Sequence, residues 1–193
     1  MPEIVHNDVK YQVKIVATAE QIQKRVRELA RQISDDFRGE LIYAIAVLED
    51  GFMFMSDLVR ALEGEVVCQF LKPYVKEQPR AGGSTLEILF RPELEVTGKH
   101  VLLVQGVLQT GITSDFLIRH ISSCGAASVR IATFIDRSSD RRILLRADYS
   151  GFLLDNCYVV GYGLGFPDFG RNLPYLAIVE GQAPPLSRSM SNF

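Results

Sequence analysis

The stretch Val101-Leu102-Leu103-Val104-Gln105-Gly106-Val107-Leu108-Gln109-Thr110-Gly111-Ile112-Thr113 decides the fold. It begins with a short run of bulky apolar residues, which predicts a strand buried on both faces over 101–104. It ends in a loop holding Thr110, Gly111 and Thr113, directly before a helical pattern over 114–123. Backbone N–H groups at a helix start, the positive end of the helix dipole and two hydroxyls together suit a phosphate dianion. Gly111 lets the backbone approach that anion closely. Read alone, T-G-x-T is equally satisfied by Thr113 capping the helix.

Working outward, Thr18-Ala19-Glu20-Gln21 reads as a capping box. Ile22, Val26, Leu29 and Ile33 follow at helical spacing, and Gly39 ends that helix. Residues 41–47 read as a second buried strand, and Glu49-Asp50-Gly51 as its turn. A second helix is expected over 52–62, with Phe52, Met55, Leu58, Val59 and Leu62 inward. Another strand covers 66–71. Residues 76–85 (KEQPRAGGST) are polar and rich in Gly and Pro, so a mobile loop is expected there, with a weak strand at 86–90. Strands are expected at 129–135, 158–161 and 176–179, the last two set among Gly-rich turns. Residues 181–193 carry Pro184 and Pro185 in a polar setting and are expected to be disordered. Strands alternating with helices predict an α/β fold with a mainly parallel twisted sheet flanked by helices. The 193 residues fit one domain over 1–180. Ligands of such sheets sit beyond the strands' carboxyl ends, here 48–51 and 105–113.

Composition narrows the function. A formal net charge of −2 gives no basic excess to attract nucleic acid or an anionic membrane. The apolar run 41–48 is too short to span a bilayer. The amino-terminal residues lack a signal pattern. Three widely spaced cysteines suggest reduced thiols in the cytoplasm, and with three scattered histidines they form no zinc pattern.

The 101–113 stretch resembles the phosphoribosyl-pyrophosphate motif of type I phosphoribosyltransferases. Three further groups of residues are similar to the hypoxanthine-guanine branch. The segment 45–58 (IAVLEDGFMFMSDL) looks like that family's first-strand loop and following helix. The segments 148–152 (DYSGF), 159–164 (VVGYGL) and 171–175 (RNLPY) resemble its purine-binding hood, expected over about 137–175. These matches run in the family's order over roughly 10–180.

The resemblance implies a fold and a set of roles. Family members join a purine to ribose 5-phosphate and release pyrophosphate, with magnesium bound to the donor. Thr110, Gly111 and Thr113 fall where the family grips the 5′-phosphate. Tyr158 falls where a ring stacks on the purine, Val159 where backbone meets the base edge, and Arg137 where a lysine reads the exocyclic oxygen. Arg171 matches an arginine that approaches pyrophosphate, and Tyr74 the tyrosine of the catalytic loop. The family's acids do not carry over. Its two ribose-binding acids correspond to Gln105 and Gly106, its proton-handling aspartate to Gln109, and a magnesium-binding aspartate to Gly165. Losing a general base costs about 10²–10⁴ in rate. A Lys-Gly pair of the pyrophosphate loop corresponds to Glu49-Asp50, before Gly51. A like charge near 4 Å costs about 4 kcal/mol at an effective dielectric of about 20.

These substitutions point to a relative that binds a purine nucleotide or related phosphorylated ligand, with catalysis lost or very weak. No metal site is expected, and magnesium enters only if the chain is active. Two alternatives stay open: an active hypoxanthine or guanine phosphoribosyltransferase of purine salvage, and a non-catalytic interaction subunit. The resemblance also implies a homodimer or higher homo-oligomer.

Overall fold

The structure, a computed structural model, describes residues 2–6, 9–80, 83–89, 94–165 and 169–180. A hairpin of β1 (Glu3–His6) and β2 (Val9–Ala17) precedes α1 (Ala19–Asp36). Then come β3 (Ile42–Val47), α2 (Phe52–Ala61), β4 (Val66–Leu71), β5 (Tyr74–Arg80) and β6 (Gly83–Leu89). β7 (His100–Leu108), α3 (Ile112–Ser123) and β8 (Ser128–Asp136) lead through a 3-10 turn, Ser138–Asp140, to β9 (Tyr149–Leu153), β10 (Tyr158–Val160) and β11 (Leu176–Val179).

The main sheet has the order β4-β3-β7-β8-β9 and is parallel throughout. Its side chains alternate between two apolar layers, as the period of a strand requires. On one face Ala44, Ala46, Leu102, Val104 and Phe134 pack against Ile22, Val26, Leu29 and Ile33 of α1 and Phe54, Met55 and Leu58 of α2. On the other, Ile45, Val101 and Leu103 meet Leu117 and Ile121 of α3. The capping box is present: Gln21 N–H donates to Thr18 Oγ1 at 3.3 Å, and Thr18 N–H to Gln21 Oε1 at 2.8 Å.

A second, antiparallel sheet has the order β1-β2-β11-β10. The alternating stretch 9–17 was not among the expected strands, yet β2 is one of the two central strands of that sheet. The hood expected over 137–175 is divided differently. β9 joins the main sheet, while the strand carrying Tyr158 reaches the body through β11 and β2.

Three other expectations change. Residues 76–85 are not a loop: β5 and β6 pair as a hairpin from Tyr74↔Leu89 to Arg80↔Gly83, so backbone pairing overrides the polar composition. Residues 81–82, Phe90 and the 181–193 tail lie outside the described residues, as does the side chain of Tyr74. Phe52 is 49% exposed rather than inward, because Phe54, Met55 and Leu58 supply the buried face of α2.

Phe134 links the main sheet to α2 and to the turn after β10. Its ring lies 5.5 Å from Phe54, 5.4 Å from Phe152 and 4.7 Å from Tyr162, the last belonging to the turn after β10. Phe134→Ala is expected to lower unfolding free energy by about 3–5 kcal/mol, read from urea denaturation.

Candidate functional site

β7 runs past the expected end at 104 to Leu108, pairing with β8 as far as Leu108↔Asp136. α3 begins two residues earlier than expected, at Ile112, so Thr113 is inside its first turn and does not cap it. The N-cap is Gly111 in a left-handed conformation, φ +84°, with no side-chain cap hydrogen bond. Other residues would be strained there. The segment after β8 folds across this loop. Arg142 N–H donates to Thr110 O at 3.0 Å, and Arg141 Nη1 to Gln109 O at 2.6 Å. A Cβ on Gly111 would come within 3.0 Å of Ile143 Cγ1. Arg141 also ion-pairs with Asp136, the pair being about seven-eighths buried on each side. The place of Arg141 over this loop leaves no signal in the sequence, where it stands among several charges in RSSDRRILLR.

The positions of the family's acids are occupied in distinct ways. Gln105 is 4% exposed, and its Oε1 accepts from Ser114 Oγ at 2.9 Å, while its Nε2 has no protein partner. Gln109 is exposed and donates through Nε2 to Asp140 Oδ2 at 2.9 Å. At Gly106 a Cβ would fall 2.6 Å from Asp50 O and 2.8 Å from Asp50 Cγ. At Gly165 it would meet Phe169 O and lie 2.6 Å from Arg171 Cγ. Both glycines are therefore spaces already filled by the fold.

The turn before α2 brings Glu49, Asp50 and Gly51 to the end of β7, with a cis peptide between Leu48 and Glu49. The expected pair of bare carboxylates facing an anion is corrected here. Glu49 ion-pairs with Lys72 and stands 3.8 Å from Arg171 Nη2. The Lys72 hydrogen bond holds its carboxyl below the usual range. Asp50 turns inward, and burial pushes its carboxyl up to about 6, opposed by Arg171 and by the backbone N–H groups of Asp50, Gly106 and Gly51. Arg171 also donates through Nη1 to Gly163 O at 3.0 Å. Leu48, Glu49, Phe52, Met53, Gly163 and Arg171 line a cleft of about 280 Å³ between turn and second sheet.

On the base side, Arg137 Nη2 donates to Cys157 O at 2.7 Å, which brings it beside Tyr158. Its buried Nε has no protein partner. Tyr158 is 37% exposed, whereas Val159 is buried with its backbone paired to Ile178. So the structure brings the 109–113 loop, the 48–51 turn and the strand carrying Tyr158 around the carboxyl ends of β3, β7 and β8.

The donor set does not fit magnesium. Glu49 is in ion pairs, Asp50 faces backbone N–H groups, and the other family positions are amide or glycine. No cluster of three or more His, Cys, Asp or Glu suited to a metal occurs among the described residues.

Comparison with known proteins matches residues 12–166 to the phosphoribosyl transferase domain. The hypoxanthine-guanine phosphoribosyltransferase of Aquifex aeolicus is 31% identical over 87% of this chain and 95% of its own length. The chain belongs to the hypoxanthine-guanine phosphoribosyltransferase family. A solved hypoxanthine-guanine phosphoribosyltransferase of Bacillus anthracis with a HEPES molecule in its active site superposes with a TM-score of 0.75 at 32% identity, covering 88% of this chain and 100% of that one. The bifunctional TilS/HprT protein of Listeria innocua is 29% identical over 92% of this chain, which spans only 27% of that protein. Among the described residues, no helix of this family member is long and apolar enough to cross a membrane.

Asp50 gives the site a pH signature. Its pKa in the folded protein lies above its ordinary value of 3.8, so the protonated form is favoured by folding. That contribution is full below about pH 4 and is lost as pH rises through about 6. A rise of this size corresponds to roughly 3 kcal/mol, or about 2 after allowing for the part of the residue that meets water. Asp50→Asn is therefore expected to gain about 2 kcal/mol on the wild type between pH 4 and 7.5, measured by urea unfolding across that range.

Proposed function

We infer that this family member binds a purine nucleoside 5′-monophosphate and turns over phosphoribosyl pyrophosphate poorly or not at all. The observation that carries this reading is the contrast between two halves of one site. The 110–113 segment combines a helix start whose N-cap, Gly111, offers no side-chain cap with two hydroxyls, of which Thr110 Oγ1 accepts from Ile112 N–H at 3.4 Å, and such a start suits a phosphate dianion. At Gly106 and Gly165, where the family keeps carboxylates, the fold leaves no room for a side chain.

The base fits the same reading. Tyr158 offers a partly exposed ring, and Arg137 a guanidinium with one unsatisfied buried N–H, which suits an oxygen acceptor on a purine. Self-association and a cytoplasmic setting complete the proposal. A second reading, an active transferase of purine salvage, is favoured by the activity named for the Aquifex aeolicus relative.

Calorimetry separates them. Guanosine or inosine 5′-monophosphate is expected to bind, and Thr113→Val to weaken it about tenfold, roughly the worth of one hydrogen bond to a charged group. Phosphoribosyl pyrophosphate is expected to bind weakly, with no help from magnesium. Sustained, magnesium-dependent nucleotide synthesis by the wild type would refute the non-catalytic reading in favour of the second.

A further inference from the structure

We propose that Asp50 is a built-in anion that sets the phosphate count of the ligand. Its carboxylate lies against Gly106 beside the adjoining cleft, and so denies that cleft to a pyrophosphoryl group. This rests on the monophosphate reading and names the residue that limits the site to one phosphate.

The geometry begins with sheet register. β3 and β7 pair only as far as Ala46↔Val104, so residues 105–108 have no strand neighbour on that side. The turn fills the gap. Asp50 O and Cγ lie where a side chain at 106 would stand, so the Asp50 carboxyl faces the backbone of Gly106. The Gly51 N–H is taken by Val47 O at 3.2 Å. Backbone donors at the start of a helix are the kind of group that binds an oxyanion. Here one is spent inside the turn, and the backbone of Gly106 faces an anion supplied by the chain itself.

The cleft offers little in exchange. Leu48, Phe52, Met53 and Gly163 contribute no charge to its lining. Its one cation, Arg171, faces Glu49 and Asp50 and also holds Gly163 O. The remaining nearby cation, Lys72, is ion-paired with Glu49. An incoming pyrophosphate would have to stand beside the Asp50 carboxylate and compete with Glu49 for both cations.

Inorganic pyrophosphate titrated into the full chain by calorimetry at pH 7.5 tests this directly. Asp50→Gly removes the internal anion, and Asp50→Asn keeps the shape without the charge. Both are checked for cooperative melting. The expected result is at least a tenfold gain in pyrophosphate affinity for Asp50→Gly and a smaller gain for Asp50→Asn. Affinity within twofold of wild type in whichever variants melt cooperatively would overturn the proposal, as would wild-type binding as tight as theirs. Titrating guanosine 5′-monophosphate into the wild type distinguishes the failures. Absent monophosphate binding sinks the function proposed above, whereas an unchanged pyrophosphate affinity in the variants sinks only the role of Asp50.

Discussion

The close approach of the 48–51 turn to the end of β7 is the constraint on which the site depends. A Cβ at position 106 would stand 2.6 Å from Asp50 O, well inside van der Waals contact, so the turn can close only over glycine. That one absence of a side chain lets the half-buried Asp50 carboxyl turn inward against β7. Position 106 and the Asp50 carboxyl therefore compete for one space, and a side chain at 106 would have to displace Asp50.

Two carboxylates at one turn have opposite fates for physical reasons. Glu49 keeps its tip among cations and ionises readily. Asp50 gives up water for backbone dipoles, and desolvation outweighs them. Charge counted along a sequence treats the two alike. Burial separates them, and burial depends on position 106, far away in the chain.

Much of the fold was legible for reasons that are local. Thr18 and Gln21 specify a helix start by their own side chains, and the stripe from Ile22 to Ile33 repeats at the helical period. The strands at 42–47 and 128–136 are short apolar runs. Where pairing rather than composition makes the element, reading failed. The polar 76–85 segment is held by cross-strand hydrogen bonds, and Gln105 and Gly106 continue a strand whose apolar signal stops at Val104. Thr110, Gly111 and Thr113 could be read as a loop leading into a helix because they lie side by side. The Arg141–Asp136 pair and Ile143, which fold over that loop, come from another segment and leave no local trace.

The second sheet draws on distant parts of the chain, Val13 pairing with Val179 across β2 and β11. During vectorial synthesis, the parallel sheet has all its strands well before β11 emerges. β10, with Tyr158, must then wait for its neighbour while β2 presents an open edge. Nascent chains of this architecture therefore pass through an interval in which the 109–113 loop can be assembled and the strand carrying Tyr158 cannot, with an unpaired strand exposed to other chains.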